Sequence, residues 1–197
     1  PKYPVDTDYA ALHHTVNQTV QYVDEAGNEV FAPVTDQVNF DRTGVIDEVT
    51  GEVTYTDWQA ENDDKVFDAK PTPVKDGYYA DQASVPAQTV TADSADQTAT
   101  VVYHQLGSLV PDVPGVDPVP YPNDPTDPTK PGEPIIPDVP GYTPVDPSGK
   151  PVTPGDGYPV DPTKPGDDTP LHYEANEQHA TVNYVDATTS QTIKVDQ

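Results

Sequence analysis

Four aromatic side chains are the residues of this sequence best suited to binding chemistry: Tyr55, Trp58, Tyr78 and Tyr79. Sugar rings stack on aromatic faces, and the Asp, Asn and Gln residues near these positions can bond sugar hydroxyls. The pattern therefore predicts a carbohydrate platform. For Trp58, the sole tryptophan, the alternative is a core anchor. Because adjacent strand residues face opposite ways, we expect one of Tyr78 and Tyr79 on each face, and one of them exposed.

Catalytic chemistry finds no comparable set of residues. The sequence has no HExxH motif, no Gly-rich phosphate loop, no nucleophile elbow and no cysteine. The five histidines, which show no metal-ligand spacing, are His13, His14, His104, His172 and His179. We therefore predict that the protein is not an enzyme and carries no catalytic residues.

Adjacent acidic pairs, such as Asp63-Asp64 and Asp167-Asp168, are the remaining candidates for a metal site. With 34 acidic residues in the chain, adjacent pairs arise by chance, and a solvated surface explains them. The alternative is a calcium ion held by oxygen ligands, although the spacing is not that of an EF-hand. No other cofactor is predicted.

The chain is strongly acidic, with 9 basic residues against 34 acidic ones and a formal charge of −25. Nucleic acids and anionic membranes are bound by clustered Lys and Arg, so both are disfavoured as partners. No apolar run is long enough for membrane insertion. An evenly acidic surface instead keeps linked units soluble and apart, and the lack of cysteine suits a protein outside the cell.

Segments near the start of the chain return near its end. Residues 19–24 (TVQYVD) return as residues 181–186 (TVNYVD), and Tyr3 and Leu12 have counterparts in Tyr158 and Leu171. Matched segments in the same order indicate a tandem array whose unit is somewhat under 200 residues. We thus expect a monomeric repeat within an array.

Proline divides the chain into regions, since 19 of the 25 prolines fall between Gly107 and Pro170. The expected parts are the tail of a preceding repeat (residues 1–14), a core-forming domain (15–106), a proline-rich linker or stalk (107–172) and the start of the next repeat (173–197). Proline at this density favours polyproline II, which predicts an extended, semi-rigid spacer. Its internally repeated bulky groups, such as Tyr121, Tyr142 and Tyr158, suggest instead that parts of it dock on the preceding domain or pack in local turns.

Alternation of apolar and polar residues predicts that the core-forming domain is mainly β. The expected elements are a hairpin of residues 15–23 and 29–40 with Pro33 at an edge or bulge, a third strand at 52–58, a short helix or irregular crossing at 59–69, and strands within 84–90 and 98–104.

Several motifs in this arrangement resemble repeats of the mucus-binding adhesins of lactobacilli. They are residues 19–28, residues 45–53 followed by Trp58, Gly77-Tyr78 with residues 85–90, and residues 158–162 of the proline-rich segment. The combination is specific, although each piece alone is not.

The resemblance implies a B2-type domain with a ubiquitin-like β-grasp fold, followed by its proline-rich linker. It further implies a bacterial surface adhesin, anchored to the cell wall through parts outside this chain, that binds host mucin glycans multivalently. The alternatives are non-immune immunoglobulin binding and a purely structural stalk.

Overall fold

The computed structural model describes residues 9–180, 182, 184–185, 187–189 and 192–193, and the chain is mainly β. Most of the predicted tail of a preceding repeat, and much of the second copy at residues 181–186, lie outside the described residues. The helical elements described are α1 (Tyr9–Leu12) and one 3-10 turn (Glu61–Asp63).

The predicted first hairpin is confirmed as β1 (His13–Asp24) and β2 (Glu29–Asp41). Asp24 closes its turn, because Oδ1 of Asp24 accepts the amides of Ala26 at 2.9 Å and Asn28 at 2.8 Å. Gly27 takes the positive φ of +82° that such a turn requires. Pro33 lies where the β1–β2 register shifts, as expected for a residue that cannot donate to a ladder.

Nine further strands complete the first unit (residues 13–106). They are β3 (Gly44–Ile46), β4 (Val53–Tyr55), β5 (Gln59–Ala60), β6 (Val66–Phe67), β7 (Lys70–Pro71), β8 (Tyr78–Ala80), β9 (Ser84–Val85), β10 (Gln88–Thr89) and β11 (Gln97–Gln105). The main sheet has the order β5-β2-β1-β11-β8, and three short pairs, β3-β4, β6-β10 and β7-β9, lie beside it. The first and last strands, β1 and β11, are neighbours and run parallel.

The alternation predicted for these strands appears in their burial. In β11, Val101 and Tyr103 are fully buried while Thr98 and Thr100 are exposed, so the alternation is confirmed and the Val101 face is the inward one. The buried side chains form two clusters, one around Val20, Tyr22, Val85, Val101 and Tyr103, the other around Val16, Val38, Phe40, Phe67 and Val90.

For residues 59–69 the sequence left open a short helix or an irregular crossing, and the structure shows the irregular crossing. The one helical part of this segment is a 3-10 turn. Asn62 and Asp63 hold positive φ values of 55° and 59°, which interrupt any helix there. No helix packs across the main sheet within the described residues, so the β-grasp assignment stays a prediction.

The proline-rich region is folded, and the prediction of an extended spacer is wrong. Its strands are β12 (Ser108–Pro111), β13 (Val119–Pro120), β14 (Tyr142–Val145) and β15 (Thr169–Ala175), in the sheet order β13-β12-β15-β14. We call residues 107–175 the proline unit. It has its own core, formed by Leu106, Leu109, Tyr121, Ile136, Val139, Tyr158, Leu171 and Tyr173.

A recurring Asp-Pro-Thr/Ser turn explains why so proline-rich a chain folds. In each copy, Oδ1 of the aspartate accepts both the amide and the hydroxyl of the residue two positions on. The four copies start at Asp124, Asp127, Asp146 and Asp161, with hydroxyl distances of 2.8, 2.6, 2.6 and 2.7 Å. The hydroxyl of Thr129 and the ammonium of Lys130 lower the pKa of Asp127 to about 2. The carboxylates therefore stay ionised and keep these turns closed in mild acid.

The proline unit also docks on the first unit, as the second of the two alternatives anticipated. The Asn123 amide group bonds the turn before β8: Oδ1 accepts the amide of Gly77 at 2.9 Å, and Nδ2 donates to the carbonyl of Tyr78 at 2.6 Å. The Ala80 amide donates to the Pro128 carbonyl at 2.8 Å. At the junction, a Cβ on Gly107 would lie 2.5 Å from the Asp167 carbonyl oxygen, so only glycine fits there.

Two short strands lie in the predicted start of the next repeat. They are β16 (Tyr184–Val185) and β17 (Thr192–Ile193), which pair antiparallel.

Adjacent isoleucines test whether the proline unit is folded. Ile136 is 3% exposed in its core, whereas Ile135 is 55% exposed. We expect Ile136→Ala to lower the unit's free energy of unfolding by about 2–5 kcal/mol, because it leaves a cavity. The matched Ile135→Ala control is expected to change it by at most ~0.5 kcal/mol. Denaturant unfolding followed by circular dichroism measures both, and equal effects would favour an extended segment.

The His172–Asp112 pair, which joins β15 to the end of β12, gives the proline unit a pH dependence. The hydrogen bond to Asp112 raises the pKa of His172, and the same bond lowers the pKa of Asp112. The His172 contribution is complete below its unfolded pKa of ~6.5 and is lost as pH rises through the folded pKa; the Asp112 contribution is complete above ~3.8 and is lost in acid. The pair therefore stabilises most between these limits.

We expect the Tyr173 amide, which Asp112 accepts at 2.9 Å, to lose exchange protection between pH 5 and pH 9. His172→Gln should remove that loss, because glutamine does not titrate. The Tyr158 amide, bonded to the Pro134 carbonyl at 2.8 Å, serves as the internal control in hydrogen-exchange measurements. An unchanged pH profile in the variant would contradict this role of His172.

Candidate functional site

The four aromatic residues predicted to bind ligand fall into two groups at opposite edges of the main sheet. Tyr55 ends β4 and Trp58 immediately precedes β5, while Tyr78 and Tyr79 open β8. Because β5 and β8 are the two edge strands, the groups are four strand spacings apart, about 19 Å. They cannot form a single platform.

Arg42 joins the first group. Its guanidinium carbon lies 4.1 Å from the centre of the Tyr55 ring and 4.4 Å from that of Trp58. Its Nε donates to the Ala11 carbonyl at 2.7 Å, which fixes the plane of the group. Stacking on two rings makes Arg42 the link between the β4 hairpin and the start of β1.

Trp58 contributes to the core, as one of its two interpretations predicted, and its role in ligand binding stays a prediction. It is half-buried against the cluster that contains Phe40 and Phe67, so it contributes to the core. It also lines an open groove of about 310 Å³, which we call the Trp58 groove. The groove is lined by Phe40, Trp58, Gln59, Ala60, Asp63, Lys65, Val90, Thr91, Ala92 and Asp93. One aromatic wall with hydroxyl, amide and charged groups around it is the composition expected of a sugar site.

A second concavity adjoins this groove and shares Gln59 with it. Its volume is about 520 Å³, and the residues that line it are Asp41, Arg42, Thr43, Thr56, Asp57 and Gln59. Arg42 thus lines the second concavity and Trp58 lines the Trp58 groove, and Gln59 lines both.

Tyr78 and Tyr79 face opposite ways, as alternation predicted, but both are half-buried and the expected exposed ring is not found. Tyr78 packs on the first unit's core, with Lys75 Nζ 5.1 Å from its ring. Tyr79 packs on the core of the proline unit and stacks on His104 at 5.2 Å. The docked proline unit covers Tyr79, which no pattern local to β8 could reveal.

The acidic pairs serve the fold. Oδ1 of Asp168 accepts the Ser108 amide at 2.7 Å, and Oδ1 of Asp64 accepts the Val66 amide at 3.2 Å. In the part of the chain that the structure describes, no three His, Asp or Glu side chains group as metal ligands would. No helix within the described ranges is long and apolar enough to cross a membrane.

The sequence analysis missed Arg42 and most of the groove. Arg42 is the sole arginine of the chain, and its ring partners lie 13 and 16 residues further on, so no short motif joins them. The lining of the Trp58 groove comes from three separate segments, around residues 40, 58–65 and 90–93. The one local signal was a lone cation close to an aromatic cluster in an acidic domain.

The first unit is mainly β and carries an open groove with one aromatic wall. The chain belongs to the Muc B2-like domain family, whose model matches residues 7–107. This is a family of mucus-binding adhesion domains of extracellular surface proteins, not of enzymes. The resemblance to mucus-binding adhesin repeats is therefore confirmed.

Solved structures similar to this chain come from the same group of domains. A mucin-binding domain from Streptococcus pneumoniae is 32% identical, with 48% of this chain and 92% of that chain covered and a TM-score of 0.44. Mub-RV is 38% identical over 50% of this chain and 56% of its own, with a TM-score of 0.47. The MucBP domain of a Pediococcus pentosaceus adhesion protein is 36% identical over 46% and 97%, with a TM-score of 0.41. Among curated proteins, none matches.

The Arg42 stack can be tested through the fluorescence of Trp58, the sole tryptophan. We expect Arg42→Lys to alter the emission and to lower the first unit's free energy of unfolding by about 0.5–2 kcal/mol, because an ammonium group does not stack as a planar guanidinium does. Lys75→Ala, at the other edge of the sheet, is the control. If Arg42→Lys leaves both emission and stability unchanged, the stack contributes nothing.

Proposed function

We propose that this protein is an adhesin repeat that binds host mucin glycans in the Trp58 groove. The observation that carries the proposal is the half-buried Trp58 ring in a groove with Gln59, Thr91 and Asp93 at its rim. The ring offers a sugar-stacking face, and the polar groups offer partners for hydroxyls. Membership of a mucus-binding family supports the same conclusion.

Charge limits how the repeat makes contact. With a formal charge of −25, it is repelled at long range by acidic mucin chains, although physiological salt screens this repulsion beyond about 8 Å. Binding must then come from short-range stacking and hydrogen bonds. Lys65 within the groove and Arg42 beside it place two of the few basic side chains close to the ligand.

Each such contact is weak, and tandem repetition supplies avidity. Linked sites gain roughly 10²–10⁴ in affinity without new contacts when they can bind together. In this proposal residues 15–106 form the binding domain, the proline unit spaces it from the next repeat, and parts outside this chain anchor the protein to the bacterial cell wall. Tyr55 stays a candidate ligand residue because its ring contacts Arg42, which lines the second concavity. Tyr78 and Tyr79 are weaker candidates, because the proline unit packs beside them.

Two groove variants of the full chain test the glycan proposal. We expect Trp58→Ala to weaken binding to immobilised mucin at least tenfold, because it removes the stacking face, and Gln59→Ala to weaken it about 2–10-fold through one lost hydrogen bond. Gln59 is exposed, so its variant should keep the fold even if Trp58→Ala does not. Tyr142→Ala, which removes an exposed ring of the proline unit, is the matched control and should bind normally.

The same assay separates the alternatives. Binding that persists unchanged on enzymatically deglycosylated mucin would overturn the glycan proposal. Retention of sugar-free immunoglobulin fragments would favour immunoglobulin capture, and binding of neither partner, even by a tandem array, would leave a structural stalk.

A further inference from the structure

Both units of the chain place their first and last strands side by side and parallel. In the first unit, β1 pairs with β11 from Gln18↔Gln97 to Asp24↔Tyr103. In the proline unit, β12 pairs with β15 from Leu109↔Thr169 to Pro111↔Leu171. The same arrangement thus occurs in two sheets of different size and composition.

Aspartate side chains extend both ladders at their ends. Asp96, next to the first β1–β11 pair, accepts the Asn17 amide at 2.8 Å. In the proline unit, Asp168 accepts the Ser108 amide at 2.7 Å, and Asp112 accepts the Tyr173 amide at 2.9 Å. The β1–β11 ladder therefore has a carboxylate bond at its first end, and the β12–β15 ladder has one at each end.

Parallel terminal strands fix how a pulling force acts. The chain enters each unit at one end of the ladder and leaves it at the opposite end, so tension slides the two strands past one another. All bonds of the ladder then resist together, whereas a force applied at one end would break them in turn. Both ladders carry buried side chains that keep water away from the loaded hydrogen bonds. They include Val20, Val101, Leu109 and Leu171.

We propose that this chain is a tension-bearing element, in which each unit transmits end-to-end force through the shear-loaded ladder between its first and last strands. The proposal rests on the proposed function in one respect: a surface adhesin holding mucus under flow is pulled along its chain. The force path itself follows from the strand order and needs no ligand.

Single-molecule force spectroscopy on the full chain tests the proposal, and the absence of native cysteine lets two introduced cysteines carry the handles. Handles on Ala10→Cys and Gln105→Cys load the β1–β11 ladder from opposite ends. Handles on Ala26→Cys and Gln105→Cys load the same ladder from one end, because Ala26 and Gln105 both follow the Asp24↔Tyr103 pair. All three positions are exposed.

We expect the rupture force to be several-fold higher with the first pair of handles than with the second, and equal or lower force would overturn the proposal. Asp96→Ala is expected to lower the force only with the first pair, since Asp96 lies at the far end of the ladder from the second. Asp93→Ala, an exposed acidic neighbour in the same turn region, is the matched control. An Asp96→Ala variant that ruptures like the parent with the first pair would exclude the carboxylate bonds from the force path.

No mucin is present in this measurement, so its failure would leave glycan binding standing. Conversely, a chain that fails to bind mucin would still show the difference between the two directions. The same comparison extends to the proline unit. Handles on Gln105→Cys and Gln178→Cys load the β12–β15 ladder from opposite ends, whereas handles on Asp117→Cys and Gln178→Cys load it from one end.

Discussion

The scarcity of backbone N–H groups between Gly107 and Pro170 is the constraint on which much of the structure depends. Proline has no amide proton and holds φ near −65°, so ordinary ladders cannot form over long stretches. Four Asp-Pro-Thr/Ser turns stabilise the segment instead, and in each turn the aspartate accepts both an amide and a hydroxyl. Because proline also restricts the unfolded chain, folding loses less entropy, and a small core around Tyr121 and Leu171 suffices.

That compact second unit changes what the first unit can expose. Tyr79, on paper a free aromatic residue at a strand start, instead packs on the core of the proline unit and stacks on His104. His104 in turn bonds Glu25 at 2.6 Å, next to the first hairpin turn. The β8 edge of the sheet thus packs against the proline unit, and the opposite edge, next to Trp58, carries the open groove.

The sequence was most informative where periodicity alone decides structure. Alternation in residues 15–23 and 98–104 predicted β1 and β11, and the turn between residues 24 and 29 predicted the hairpin of β1 and β2, because each signal is local. It was least informative where distant segments meet. The high proline content predicted an extended spacer without strands. Pro111, Pro144 and Pro170 nevertheless lie within strands, because the residues beside them provide the hydrogen bonds of the ladders. The Arg42 stack and the Trp58 groove likewise join residues far apart in the chain, and only the fold brings them together.

The hydrogen bonds of Asn123 and the close fit at Gly107 have a consequence for the orientation of the Trp58 groove. They fix the orientation of the first unit relative to the proline unit. Under the proposed function, a bound mucin glycan would therefore meet the Trp58 groove at one fixed angle to the proline unit.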